Sequence, residues 1–380
     1  MISISWKETG LDKRIALKSL CLIGPSLTQQ IVVWFIASLV LSMFLPNMVV
    51  CAMLTPIALS MLRYVKEDDL VNGQIAPIVL ACIAWGAGIG GMGTPLGGAM
   101  NLVALDYLEE LIGQEYLYTS WALRMMPLLI LIAAADIVCI LLIRPKNKNL
   151  HGTREYFRRL YQEQPPFSRD EKVAFSLFVV VILLCFTRSL YEKVLPGLKP
   201  AYAFMLIGSL TFVLPKQNGE RLLSWEKASK EIGWGLLYMC GGGMAIGALL
   251  SSTGAIGSIA GLINGLALDG GFGTMLVFAA FTVLLSEISN NTSAAAISIP
   301  IVISVCNGLQ VNPMPYLYTT IAAFNCAYTL PTTIRAIPVG LGLAPKYLLK
   351  NGVLLTVVSI LVSAGIGYAM MCLWPAFSGY

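Results

Sequence analysis

Charge is scarce in this chain. Of 380 residues, 25 are Lys or Arg and 20 are Asp or Glu, 12% in all, against 57% hydrophobic. A soluble domain of that composition has too little polar surface to cover itself. Residues 232–268, 290–334 and 353–376 carry no charge at all. Histidine is nearly missing: the single His151 lies in a basic loop, which argues against a histidine-based metal site or catalytic triad. The nine cysteines include no Cys-x-x-Cys pair and fall mostly in apolar segments (Cys51, Cys82, Cys139, Cys240, Cys326), so they read as small buried hydrophobes. No cleavable signal peptide is visible, because Met1 to Lys18 is polar and amphipathic. The net charge of +5 is too small to point to nucleic acid.

What is present is a series of apolar runs, some of them near the roughly 20 residues that cross a bilayer as a helix and others shorter. The expected fold class is therefore an all-α polytopic membrane protein of the inner (plasma) membrane, in contact with lipid. Gln29 to Phe44 and Met48 to Leu62 flank Leu45-Pro46-Asn47, and neither arm is long enough for a comfortable crossing, so the pair reads as a re-entrant hairpin. Ile75 to Ile89 and Ala99 to Leu105 flank a Gly- and Pro-rich interruption at 90–98, the mark of a broken helix. Trp121 to Ile143 is one span, and Arg144 to Lys172 a long polar connection. Val173 to Leu190 and Ala201 to Leu214 are further spans, followed by a span over Trp234 to Leu250 and Ile256 to Leu268 broken at Ser251 to Gly254. A second hairpin has arms Phe272 to Ile288 and Ser293 to Val305 around Asn290-Asn291-Thr292. A second broken helix runs through Tyr316 to Leu330 and Ala336 to Leu343, interrupted at 331–335, and Gly352 to Leu373 is the last span.

The order hairpin, broken helix, span occurs twice. Ser42, Ala52 and Pro56 stand five before, five after and nine after Asn47; Ser286, Ala296 and Pro300 stand the same distances from Asn291. Placing the basic loops at 63–66, 144–172, 216–230 and 346–350 in the cytoplasm makes the two repeats inverted, as in alternating-access carriers. The expected organisation is an amphipathic segment (1–19), a first inverted repeat (20–144), a cytoplasmic linker (145–172), scaffold and connecting helices (173–268) and a second inverted repeat (269–380).

Hairpin tips present the C-terminus of one half-helix and the N-terminus of the next, which attract cations and anions respectively. Capping of buried helix ends is the plainer reading of the tip Asn and Thr residues. It leaves unexplained why both hairpins avoid spanning the membrane. No nucleophile–base pair lies at membrane depth, so an enzyme is not expected.

Several motifs resemble the divalent anion/sodium symporter family. They are Leu222 to Glu226, Gly233-Trp234-Gly235, Gly241-Gly242-Gly243 and Ser252-Thr253-Gly254; Ser286 to Thr292, with Asn290 in the family's Ser position; Leu41 to Met43 with Pro46 to Met48; and Ile89 to Thr94 with Gly97 to Asn101. The resemblance covers nearly the whole chain. It implies a secondary active transporter of small di- or trivalent anions, a dicarboxylate such as succinate or malate before sulfate or citrate. It also implies coupling to Na+ through an elevator movement, and a homodimer. It places Asn47, Asn291 and Thr292 at the substrate, Ser42, Asn47 and Gly97 at one sodium site, and Ser286, Ser289, Asn291 and Thr333 at the other. Gly10 to Ala16 resembles the segment just before the family's first hairpin, and the family's further N-terminal scaffold helices would precede it.

The departures are as informative. Pro46 and Met48 replace family hydroxyls, and Arg335 is a cation where the family has none. An arginine at membrane depth costs roughly 2.5–3.5 kcal/mol on insertion scales and pairs with something. Either Arg335 meets the substrate anion, its charge standing in for a lost sodium, or it pairs with Asp136 or snorkels to an interface. Glu287 reads as a structural partner and not a proton relay, a coupling proton on Asp136 is an option but not the expected reading, and Arg124 and Arg188 read as snorkelling residues near span ends. The alternative function is a membrane protein that binds an anion as a sensor without moving it.

Overall fold

The computed structural model describes residues 1–22, 24–145, 149–231 and 268–379, together with 234, 235, 238, 241, 242, 245, 248, 249 and 252–254. Gly233 and most of the expected broken span over 234–268, including Cys240, Gly243 and Ser251, lie outside the described residues. Among the described residues the secondary structure is helical, with no strand. Among the described residues, five helices are long and apolar enough to cross a membrane.

In chain order the helices are α1 (Ile2–Thr9), α2 (Leu11–Leu20), α3 (Leu27–Ser42), α4 (Asn47–Tyr64), α5 (Ala76–Gly90), α6 (Ala99–Ile112), α7 (Tyr118–Ile143), α8 (Thr153–Gln162), α9 (Arg169–Phe186), α10 (Arg188–Tyr191), α11 (Pro200–Leu210) and α12 (Trp225–Glu231). After the partly described region come α13 (Phe272–Ile288), α14 (Asn291–Gly308), α15 (Met314–Asn325), α16 (Ala336–Gly340), α17 (Pro345–Leu373) and α18 (Pro375–Ser378). They form two compact units: residues 1–24, 117–120 and 152–234, and residues 25–116, 121–151 and 235–380.

In the first unit the amphipathic N-terminus folds into α1 and α2. Trp6 is buried, stands edge-on to Phe178 and donates its indole N–H to the Ala174 carbonyl. Arg14 meets Glu171 at 2.6 Å, and Glu171 closes a capping box with Ser168 at the start of α9. The polar connection holds a helix that its charge density hid: α8 buries Phe157 and leaves its arginines exposed. Arg188 does not snorkel. It is 2% exposed and donates to the carbonyls of Leu195 and Pro196 at 2.9 and 2.8 Å, so its charge is met by the turn that follows α10.

The second unit contains both hairpins and both broken helices. In α3 and α4 the chain turns at Met43–Pro46; in α13 and α14 it turns at Ser289–Asn290. Each second arm begins on an Asn and carries a Pro inside it, Pro56 and Pro300. The second arms are 18 residues each, about 27 Å at 1.5 Å per residue. They are long enough to cross by length and composition, which corrects the expectation that both arms fall short. The cause is at the far ends, where the helices run on through Arg63–Tyr64 and Cys306–Gly308. Close packing of α3 on α5 depends on Gly90, where a Cβ would fall on the Leu39 backbone.

The first break comprises two short 3-10 turns, Gly91–Gly93 and Pro95–Gly97, ahead of α6. The second opens earlier than the sequence indicates: α15 ends at Asn325, an open loop follows, and a 3-10 turn over Thr333–Arg335 leads into α16. The basic segment 346–350 lies on α17, not in a loop. Arg124 is also turned inward. It is 6% exposed, donates to the Gly379 carbonyl at 2.7 Å and lies over the Tyr318 ring at 5.6 Å.

Candidate functional site

Each hairpin tip is fastened to the broken helix that follows it, and the fastenings match. Ser42 at the end of α3 donates to the Ala87 carbonyl at 2.7 Å; Ser286, near the end of α13, donates to the Phe324 carbonyl at 2.8 Å. Thr94 in the first break donates to the Met43 carbonyl; Thr332 in the second donates to the Glu287 carbonyl at 3.4 Å. Both serines precede their tip Asn by five positions, so the spacing read from the sequence has a structural counterpart.

The second tip presents a capped helix N-terminus. Asn290 caps α14, accepting from the Ser293 N–H at 2.9 Å. The first backbone bond of the helix runs from Ala294 back to Asn290, so Asn291 and Thr292 occupy the turn whose N–H groups have no intrahelical acceptor. Asn291 and Thr292 are therefore first-turn residues, each 6% exposed. The Asn291 Oδ1 lies 3.0 Å from the Ser286 Oγ, whose single hydrogen is shared between it and the Phe324 carbonyl. Ser289 turns its hydroxyl back to the Leu285 carbonyl at 2.6 Å.

The first tip is poorer in donors. Pro46 stands at the cap without a side-chain bond, and the Asn47 Oδ1 accepts its neighbour Met48's N–H at 2.9 Å. The Asn47 Nδ2 faces the first break: a Cβ on Gly91 would stand 3.5 Å from it and 3.2 Å from the Asn325 Oδ1. Gly88 faces the Asn325 carbonyl in the same way. The ends of α5 and α15 thus meet, and they meet where polar atoms lack partners. The Asn101 amide donates to the carbonyls of Gly91 and Thr94 at 2.6 and 2.8 Å, while its Oδ1 is buried without a donor among the described residues. The Asn325 Oδ1 and the Thr333 Oγ1 are likewise buried with no partner among the described residues. Thr333 also holds φ at +47°, which is strained for a β-branched residue.

Glu287 and Arg335 organise the second break. One Glu287 carboxylate oxygen accepts the N–H groups of Tyr328 and Thr329 at 2.5 and 2.8 Å; the other accepts that of Leu330 at 3.0 Å. Thr356 adds a hydroxyl at 3.3 Å. Arg335 reaches the same carboxylate at 3.4 Å, the Thr332 hydroxyl at 2.8 Å, the Leu330 carbonyl at 2.5 Å and the Ala327 carbonyl. The pairing of Arg335 with Asp136 does not form. Asp136 bonds to Tyr328 and Ser359, and Arg335 is drawn to the carboxylate that already orders its own loop.

Sequence reasoning brought Ser42, Asn47, Gly97, Ser286, Ser289, Asn291, Thr292, Thr333 and Arg335 to these two tips and breaks. It missed Asn325, Tyr328, Thr332, Thr356 and Ser359. Asn325 carried a usable signal, as a lone amide in an apolar run. Among the described residues no cluster of three or more His, Cys, Asp or Glu could hold a metal ion.

Two hairpins fastened to two interrupted helices, within a set of apolar spans, define a polytopic membrane carrier. Residues 1–323 match the citrate transporter family, CitMHS, and the chain belongs to that family. The sodium-dependent dicarboxylate transporter SdcS of Staphylococcus saprophyticus is 27% identical over 98% of this chain and 75% of its own length. SdcS of Staphylococcus aureus strain bovine RF122 is 26% identical over 98% of this chain and 74% of its own. The family thus places the protein among multi-pass membrane transporters.

Proposed function

We propose that the protein carries a small dicarboxylate across the membrane together with sodium. The observation that carries this reading is the start of α14: two polar residues, Asn291 and Thr292, on a half-helix N-terminus, with the Asn291 amide oxygen against the Ser286 hydroxyl. Half-helix N-termini aimed at a buried site bind anionic groups, and unwound carbonyls beside them bind the coupling cation. Asn47 supplies a second amide from the opposite tip. The names of the relatives support a dicarboxylate, while the family description favours citrate as the next substrate to test.

Sodium fits the residues present. Its oxygen-donor preference is met by buried oxygens with no partner among the described residues, Asn101 Oδ1 and Asn325 Oδ1 near the first break and Thr333 Oγ1 at the second. Ser42, Asn47 and Gly97 belong to the first position, and Ser286, Ser289, Asn291 and Thr333 to the second. Arg335 acts at the second position as a fixed positive charge, bonded to the loop carbonyls of Ala327 and Leu330. It acts there through the loop, and its reach to the substrate is indirect. The homodimer implied by the resemblance remains part of this reading.

The test is uptake of labelled succinate into proteoliposomes under an inward sodium gradient, with malate, citrate and sulfate as competitors. Sodium-driven uptake inhibited by malate is the expected result. Binding of succinate without flux of any of these anions would instead favour the sensor.

A further inference from the structure

Asp136 lies in α7 and is fully buried. Its Oδ2 is 2.7 Å from the Tyr328 hydroxyl, its Oδ1 is 2.9 Å from the Ser359 Oγ, and those two hydroxyls are 3.0 Å apart. Three groups from α7, the second break and α17 close a ring of three oxygen–oxygen contacts. Each contact requires one hydrogen, and each hydroxyl owns one. With Asp136 ionised, two hydrogens serve three contacts, and one contact sets lone pairs against lone pairs. The carboxylate is then also charged at zero exposure with no cation bonded to it among the described residues, an expensive state at membrane depth. With Asp136 protonated, the carboxyl donates to Tyr328, Tyr328 to Ser359, and Ser359 to the second carboxyl oxygen. Every contact then holds one hydrogen.

We infer that Asp136 is a proton-binding site whose occupancy reaches the anion-binding tip through Tyr328. The path is short. The Tyr328 N–H donates to Glu287 at 2.5 Å, its carbonyl accepts from Trp85 at 3.0 Å, and Glu287 lies three residues before Asn290. The titratable groups around Asp136 are Cys139 on α7, Cys326 and Tyr328 on the loop, and Glu287 one bond further on, where Arg335 is paired with it. From α17 the contacts are hydroxyls only, Ser359 and, at Glu287, Thr356. The inference deepens the carrier reading, and its first readout requires no transport.

Infrared spectroscopy of the full chain in lipid tests it. At neutral pH the protein is expected to give a protonated-carboxyl C=O band that Asp136→Asn removes. Tyr328→Phe keeps the carboxyl and is expected to move that band, because a hydrogen-bond partner is lost. Uptake by Asp136→Asn is expected to lose the pH dependence of the parent. A neutral-pH spectrum with no such band, or a band unmoved in Tyr328→Phe, overturns the site. An unchanged pH profile in Asp136→Asn overturns its link to the tip. If Asp136→Asn does not fold, the comparison of parent with Tyr328→Phe decides alone. Failure of the infrared arm leaves sodium-driven uptake intact, so the two readings fail separately.

Discussion

Glu287 and Arg335 face each other at 3.4 Å with side-chain exposures of 6% and 2%, at the point where the second hairpin meets the second break. Neither charge is there for the other alone. Glu287 also accepts three consecutive backbone N–H groups, and Arg335 donates to two backbone carbonyls. Together they replace the helical bonds that the loop after Asn325 gives up. Removing one member of a buried pair strands the other, at a cost of about 3–5 kcal/mol. Arg335→Gln and Glu287→Gln are each expected to lower the unfolding midpoint in detergent and to abolish uptake. The double variant, with no stranded charge, is expected to be less destabilised than the sum of the two. Strict additivity in that cycle would mean that the pair is not coupled.

Gly97 offers a test of the first break. A Cβ there would fall on the carbonyl oxygen of Gly91, the acceptor for Asn101. The obstacle is backbone, so no side chain can swing aside. Overpacking of this kind costs roughly 1–3 kcal/mol. Gly97→Ala is expected to retain the fold while weakening sodium dependence of uptake by about tenfold, the ratio that 1.4 kcal/mol corresponds to. A sodium titration of succinate uptake reads it directly. An unchanged half-saturating sodium concentration would remove Gly97 from the cation position.

Most of this arrangement was legible where the signal is local. Asn47 and Asn291 in apolar surroundings, with Ser and Pro at fixed distances, located both tips, and the glycines of 90–98 located the first break. The second break was placed too late because nothing between Asn325 and Leu330 is a helix breaker. Its cause is tertiary: Glu287, about forty residues earlier, takes the N–H groups of 328–330. Arg124 and Arg188 were misjudged for a related reason. Position near a span end predicts snorkelling, but in the fold carbonyls at Gly379 and at Leu195–Pro196 stand within reach. The fold class depends on periodicity and composition, whereas these bonds depend on which distant carbonyl or carboxylate arrives nearby.

Thr333 separates backbone strain from ligand chemistry. Its φ of +47° disfavours any residue with a Cβ, and its hydroxyl is buried with no partner among the described residues. Thr333→Ala and Thr333→Gly lose the same hydroxyl, so both are expected to weaken sodium binding alike. They differ in strain, and the Gly variant is expected to be more stable than the Ala variant by about 1 kcal/mol. Thermal unfolding in detergent, without sodium, measures that difference. Equal midpoints would indicate that the loop relaxes out of the left-handed region.

The paired serines give the sharpest comparison of the two tips. Ser42 and Ser286 each donate to a carbonyl near the end of a half-helix, at 2.7 and 2.8 Å, and both are fully buried. On stability alone, Ser42→Ala and Ser286→Ala are expected to cost about the same, around 1 kcal/mol for one hydrogen bond. On binding they are expected to diverge. Ser286 also shares its hydrogen with the Asn291 amide oxygen at 3.0 Å, whereas the Asn47 amide is held by its own neighbour's N–H. Succinate affinity is therefore expected to fall by about tenfold in Ser286→Ala, as for loss of one oriented polar contact, and to change little in Ser42→Ala. Thermal shift with increasing succinate at fixed sodium reads both variants on one scale. Equal losses would mean that the two tips share the anion evenly, and a larger loss in Ser42→Ala would move the main anion contact to the first tip.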